Sequence, residues 1–176
     1  MSGHTMSNPV SDNPSYTLSD ATRARFDREV AKYPADQRQS AVMACLSIVQ
    51  QEEGWVSAAA EKAVATYLGM PPIAVAEMTT FYNMYNQKPA GKYKLNVCTN
   101  LPCQLRDGQK ALEHLCNRLG VAEGGTTVDG LFTVQKTECL GACADAPVML
   151  VNDRQMVSFM SHDRLDELVQ QLKNEA

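Results

Sequence analysis

The chain has 176 residues, 44% of them hydrophobic, which is enough to bury a core as one domain or two small ones. Its formal net charge is −4 and its Lys and Arg are scattered along the chain, which argues against a nucleic-acid surface. No apolar run reaches the roughly 20 residues a bilayer-crossing helix needs, and no basic start leads into an apolar stretch as in a secretory signal. A soluble cytoplasmic protein is expected, or one on the cytoplasmic side of a larger assembly. Six cysteines in such a chain point to metal or redox chemistry rather than a disulfide framework.

Residues 1–16 are polar, hold two prolines and show no period, so they read as a disordered tail; His4 within it is not expected to be a ligand. A helix begins near Ser19 or Asp20 with Phe26, Val30 and Tyr33 at helical spacing, and Pro34 closes it. Residues 36–53 carry the clearest helical pattern, with Val42, Leu46 and Val49 on one face, Cys45 and Ile48 beside them and Gly54 as the C-terminal cap. Cys45 on that stripe reads as a small buried hydrophobe. Ser57 caps a helix over 58–68 that Gly69 ends. Pro71 and Pro72 open another helix, reaching about Tyr85. It carries Ile73, Val75, Met78, Phe81, Tyr82 and Tyr85, and belongs in the core or against a partner, the core being the default. Four helices over residues 17–88 make a helical bundle domain.

The stretch Gln87-Lys-Pro-Ala-Gly-Lys92 breaks this pattern and marks a boundary, so residues 89–176 form a second domain. Residues 93–97 read as a strand, with a cysteine pair in the loop after it. Residues 105–119 read as a helix with Leu105, Leu112, Leu115 and Leu119 inward, Cys116 as a structural thiol and His114 toward solvent. Asp129-Gly130 signals a hairpin between 126–128 and 131–136, and a second hairpin turns at Asn152-Asp153 between 148–151 and 155–159. Ser161 caps a last amphipathic helix whose buried stripe is Leu165, Leu168, Val169 and Leu172. His162 in its first turn reads as solvent-facing. Strand, helix, strand pairs and helix describe a small α/β sandwich, so the whole chain is of α+β or α/β class.

Chemistry concentrates in Cys98-Thr-Asn-Leu-Pro-Cys103 and Cys139-Leu-Gly-Ala-Cys143. Four thiolates converging on one point repel unless a metal or cluster neutralises them. A [2Fe–2S] core takes four, two on each iron, and Gly141 leaves room for close approach to inorganic sulfide. Leu101, Pro102, Leu140, Ala142, Ala144 and Ala146 are expected to shield such a group, and backbone N–H groups at Thr99, Asn100, Gly141 and Ala142 to donate to sulfur. Structural zinc uses similarly paired cysteines, so spacing leaves a zinc-stabilised interaction module open. A thiol oxidoreductase would place Cys-x-x-Cys at a helix N-terminus, a spacing neither pair has. No GxGxxG follows a strand, and no Ser/His/Asp or paired-carboxylate set stands out, so no substrate-binding active site is expected in the chain itself.

The segments Val97-Cys-Thr-Asn-Leu-Pro-Cys103, Asp129-Gly130-Leu-Phe132 and Glu138-Cys-Leu-Gly-Ala-Cys143, with Ala146-Pro147, resemble the 24-kDa subunit family of respiratory complex I. Gly54-Trp55-Val56-Ser57 and Thr79-Thr-Phe-Tyr-Asn-Met84 extend the resemblance, which covers roughly residues 20–173. Leu101 stands where a small polar residue is expected. The resemblance implies an N-terminal helical bundle followed by a thioredoxin-like [2Fe–2S] ferredoxin domain. It implies Cys98, Cys103, Cys139 and Cys143 as cluster ligands, with none of them catalytic. It further implies an electron-transfer subunit of NADH:quinone oxidoreductase in the peripheral arm, on the cytoplasmic side of the inner membrane. The partner would be a flavoprotein subunit carrying FMN and binding NADH, on which Trp55, Phe81, Tyr82 and Tyr85 are candidate anchors. The alternative within the resemblance is a diaphorase-module subunit of an NAD-linked hydrogenase or formate dehydrogenase.

Overall fold

A computed structural model describes residues 15–176. Apart from Ser15 and Tyr16, the expected tail, with His4, lies outside the described residues. Tyr16 packs half-buried against the first apolar core. The chain divides into two compact units, Met1–Pro89 and Ala90–Ala176.

In the first unit α1 spans Asp20–Val30, and Ser19 Oγ caps it by accepting the Thr22 N–H at 3.0 Å. The helix expected over 36–53 is shorter: residues Ala35–Ala41 form a 3-10 helix kinked at Gln37, and α2 proper is Val42–Glu53. No side chain caps the start of α2, so nothing there fixes a clean α-helical entry. Helix α3 spans Ala58–Leu68 under the Ser57 cap, and Gly54 and Gly69 end α2 and α3 at φ 79° and 71°, where a Cβ would be strained. Phe26, Leu46, Val49, Val56, Val64 and Val75 are fully buried in this unit's core, and Cys45 sits among them as a buried thiol.

Helix α4, Pro72–Phe81, corrects two expectations. It stops four residues short of Tyr85, because Tyr82 turns to extended backbone. Val75 and Thr79 of the helix are buried and Met78 packs part-buried on the core, while Ile73 is 68% and Phe81 79% exposed, so the core reading fails for those two side chains. Tyr85 goes the other way: it is buried and its hydroxyl donates to the Met43 carbonyl at 2.9 Å, which removes it from the candidate anchors.

The second unit holds β1 (Tyr93–Cys98), α5 (Leu101–Gln104), α6 (Gly108–Leu119), β2 (Phe132–Thr137), β3 (Met149–Val151), β4 (Gln155–Val157) and α7 (His162–Asn174). The strands form one mixed sheet in the order β2-β1-β3-β4. β1 runs parallel to β2 and antiparallel to β3, and β3–β4 is the expected hairpin, turning at Asn152 and Asp153 with φ 52° and 56°. A parallel pair needs a crossover, and α6 supplies it between β1 and β2. Leu95, Val97, Phe132, Val134 and Met149 meet Leu112 and Leu115 of α6 and Leu165 and Val169 of α7 in the core. Lys94 and Asn96 alternate to the other side of β1, where Lys94 Nζ pairs with Asp153 Oδ2 at 2.7 Å and Asn96 donates to the same carboxylate.

Three expectations in this unit change. Helix α6 starts at Gly108, and Leu105, left in the turn before it, is 76% exposed. The hairpin around Asp129-Gly130 shrinks to a single bridge between Thr126 and Thr133. There Asp129 accepts from the Leu131 N–H at 2.9 Å and Thr127 Oγ1 from the Phe132 N–H at 3.0 Å, while β2 gives its ladder to β1. His114 is not simply solvent-facing: its Nε2 lies 3.0 Å from Asp166 of α7 and its ring stacks on His162 at 4.2 Å.

Candidate metal centre

Parallel pairing sets the C-terminal ends of β1 and β2 side by side, with Cys98 in register with Thr137. The two cysteine segments leave from these ends, so the topology brings together what residues 104–138 separate in sequence. Neither pair lies wholly in an irregular loop, the place expected for the first. Cys98 is the last residue of β1, and Cys103 is carried on the one-turn helix α5. The return toward β3 passes through a 3-10 turn, Cys143–Asp145, and the Cys98 N–H donates to the Val148 carbonyl at 3.0 Å.

The four thiols form two unlike pairs. Cys98 and Cys103 are 1% exposed and pack with Ala146 and Val148, with Leu140 and Ala142 part-buried against them. Burial pushes the Cys103 thiol up to about 11, the neighbouring Cys98 adding to the shift against a hydrogen bond from Val148. Cys139 and Cys143 are exposed, with Sγ atoms 3.7 Å apart. Sulfurs bound about 2.3 Å from one tetrahedral metal stand about 3.8 Å apart, so the outer pair fits a shared metal. The Cys143 thiol is raised, first by its hydrogen bond with Cys139 and then by burial, and also by the charges of Cys139 and Cys98. Mutual repulsion of this kind is what a cationic centre relieves, since a coordinating thiol is deprotonated outright.

Of the four expected backbone donors, Gly141 N–H reaches Cys139 Sγ at 3.4 Å, made possible by φ 76° at Gly141. Thr99 N–H instead donates to the Thr137 carbonyl at 3.4 Å. Leu101 is 65% exposed and Ala144 is also exposed, whereas Ala146 and Leu140 pack against the inner pair. Among the described residues, no three or more His, Cys, Asp or Glu side chains are gathered as ligands of one metal ion. The two-plus-two arrangement matches the demand of two irons, each with its own pair.

Sequence reasoning missed two supports. Asn100 Nδ2 donates to Glu138 Oε2 at 2.6 Å, tying the segment after Cys98 to the residue before Cys139. Gly108 lets α6 approach the inner pair: a Cβ there would lie 2.8 Å from the Cys103 carbonyl oxygen and 2.9 Å from that of Cys98. A glycine at a helix start, in a chain with helix-ending glycines elsewhere, gave no distinguishing signal.

A family model for the thioredoxin-like [2Fe–2S] ferredoxin matches residues 26–173. NADH-quinone oxidoreductase subunit 2 of Thermus thermophilus is 42% identical over 148 residues, 84% of this chain and 82% of that protein. A Rickettsia conorii subunit of NADH-quinone oxidoreductase is 37% identical over 147 residues, 83% of this chain and 87% of its own. An NAD+-reducing [NiFe]-hydrogenase shares the fold, with a TM-score of 0.65 at 24% identity; the match covers 77% of this chain and 23% of that one. With its two thiol pairs converging at the ends of parallel strands, the chain belongs to the thioredoxin-like [2Fe–2S] ferredoxin family.

Proposed function

We propose that this chain is the electron-transfer subunit of an NADH:quinone oxidoreductase. In this reading Cys98 and Cys103 hold one iron of a [2Fe–2S] cluster and Cys139 and Cys143 the other. The relatives sharing more than a third of its residues over most of both chains are subunits of that oxidoreductase, which makes this protein a part of an enzyme complex. The single observation that carries the site is that the two cysteine segments leave adjacent strand ends, with Leu140 and Ala142 packed on the inner pair and the outer sulfurs at a metal-sharing 3.7 Å. When bound, the cluster supplies a one-electron carrier.

The protein's own residues hold and tune it. The buried pair fixes one end in an apolar wall of Ala146 and Val148, and the exposed pair leaves the other end open toward a redox partner. Gly141 N–H stabilises negative charge on Cys139, while Asn100 and Glu138 clamp the two segments together. The partner is a flavoprotein subunit carrying FMN and binding NADH, in a peripheral arm on the cytoplasmic side of the inner membrane. No helix among the described residues is long and apolar enough to cross a membrane. Residues 17–88 serve as a helical bundle domain that docks on this partner through exposed Phe81 and Tyr82, and residues 89–176 as the cluster domain.

Anaerobic purification tests the assignment. A brown chain with about two irons and a rhombic paramagnetic signal on reduction is expected, with that signal lost in Cys139→Ser. Colourless protein binding one zinc would overturn it in favour of an interaction module. The hydrogenase likeness keeps a second reading in view, a diaphorase-module subunit, which co-purification with a hydrogenase rather than a quinone reductase would establish.

A further inference from the structure

The two thiol pairs differ in a way that ligation alone does not require. Both can hold a metal, but only the outer pair is open to a second molecule. Cys139 and Cys143 are exposed with their sulfurs in contact at 3.7 Å, whereas Cys98 and Cys103 are sealed at 1% exposure. A disulfide bond is about 2.05 Å long, so closing the outer pair moves its sulfurs together by about 1.7 Å on a three-residue segment that Gly141 turns back. Among the factors that set the rate of thiol–disulfide exchange, access and proximity both favour this pair.

We propose that, in the chain before it receives its cluster, Cys139 and Cys143 close into a reversible disulfide that shuts the site while Cys98 and Cys103 stay reduced. The oxidant is a small-molecule disulfide such as glutathione disulfide. Cys139 sulfur attacks one sulfur of the oxidant, releasing one glutathione as its thiol and leaving a mixed disulfide. Cys143 sulfur then attacks the protein-side sulfur, releasing the second glutathione. Two protein thiols are oxidised by two electrons, the disulfide is reduced to two thiols, and the two protein thiol protons end on the two glutathiones. Because the second attack is intramolecular, it outruns a further reaction with solvent species. The bond removes both outer ligands at once, so iron has only the inner pair to bind. It also holds the exposed sulfurs at an oxidation level that thiols can reverse, short of the irreversible sulfinic and sulfonic acids.

The gating part of this proposal rests on the reading that Cys139 and Cys143 are ligands, and the experiment separates the two. Full-length chain, stripped of metal by chelation, is incubated with glutathione disulfide, its remaining thiols are alkylated, and its peptides are mapped by mass spectrometry. The expected product links Cys139 to Cys143, with alkylated Cys98 and Cys103, and takes up no iron and sulfide until a thiol reductant is added. Cys143→Ser is expected to stop at a lasting glutathione adduct on Cys139, which shows the order of the two steps without demanding a folded cluster site. A disulfide within the inner pair or between the pairs overturns the proposal, as does cluster uptake by the oxidised chain at the rate of the reduced one. If instead reduced Cys139→Ser reconstitutes a cluster with the native spectrum, the ligand reading fails and the gate falls with it. Loss of the cluster in that variant, with no outer disulfide in the parent chain, sinks the gate alone.

Discussion

Glu138 is bonded to the Asn100 amide and lies one residue from an outer thiol, so it has both a mechanical and an electrostatic effect on the site. An electron added to a four-thiolate cluster meets this carboxylate as like charge, which lowers the reduction potential. Glu138→Gln keeps an oxygen acceptor for Asn100 and removes the charge. A redox titration should therefore show the midpoint rising, on the order of tens of millivolts for a charge screened by solvent; no change or a fall would contradict the electrostatic account. A second residue-scale expectation sits at the α6–α7 contact. The hydrogen bond from His114 holds the Asp166 carboxyl below its ordinary 3.8, with burial opposing and the charges of His114 and Arg118 assisting. A depressed carboxylate stabilises the fold above its unfolded value and loses that contribution as pH falls through its folded one. Melting curves of Asp166→Asn against the parent should differ at pH values above about 3.8, with the parent the more stable. The gap should close as pH drops below about 3.8.

The elements legible in advance were those whose ends carry their own chemistry. Ser19, Ser57 and Ser161 each cap a helix where the serine stands, and Gly54, Gly69 and Gly120 end helices with positive φ. The buried stripe of α7 and the β3–β4 hairpin followed from simple periodicity and an Asn-Asp turn. What sequence misjudged were elements whose fate depends on remote partners. Phe132–Thr137 is a strand, but its ladder goes to β1 across a crossover, with a single bridge left to its neighbour in sequence. Apolar α4 reads as core by composition, yet its Phe81 and Ile73 are exposed. The four cysteines were legible as two pairs; that one pair is sealed and the other open was not, because burial is set by Ala146 and Val148 arriving from beyond the second pair. Gly108 belongs to the same class, and it yields an element-scale prediction. Its missing Cβ lets the α6 N-terminus rest on the backbone carbonyls of Cys98 and Cys103, atoms with no freedom to rotate away. Gly108→Ala should cost about 1–3 kcal/mol through overpacking. The strain falls on the inner pair, so bound iron per chain should drop while far-ultraviolet circular dichroism keeps the parent's helical signal. Full iron content at unchanged stability would show that the close approach has no role.

At the scale of the whole molecule, each unit has an apolar core of its own, and the pairing of β1 with β2 that gathers the thiols lies entirely within Ala90–Ala176. That unit exceeds the length below which domains usually need disulfides, metals or partners to fold, about 40 residues, and its sheet is covered by two amphipathic helices with fully buried Leu115 and Leu165. A chain beginning at Ala90 should therefore fold alone and take up a cluster with the absorbance and paramagnetic spectra of the full protein. It lacks α4, and with it the exposed Phe81, Tyr82 and Ile73 that are the first unit's clearest apolar surface. The fragment should accordingly lose association with the flavoprotein subunit proposed as partner, read by co-purification, while cluster content stays at parity. Retained association would move the docking surface to the cluster unit, and an unfolded fragment would mean that the first unit is needed to stabilise the second. Either result would be distinguished from a ligand defect by comparison with the full-length Cys139→Ser variant, which on the proposed ligation should lose the cluster but keep the helices of Asp20–Phe81 that the fragment has shed.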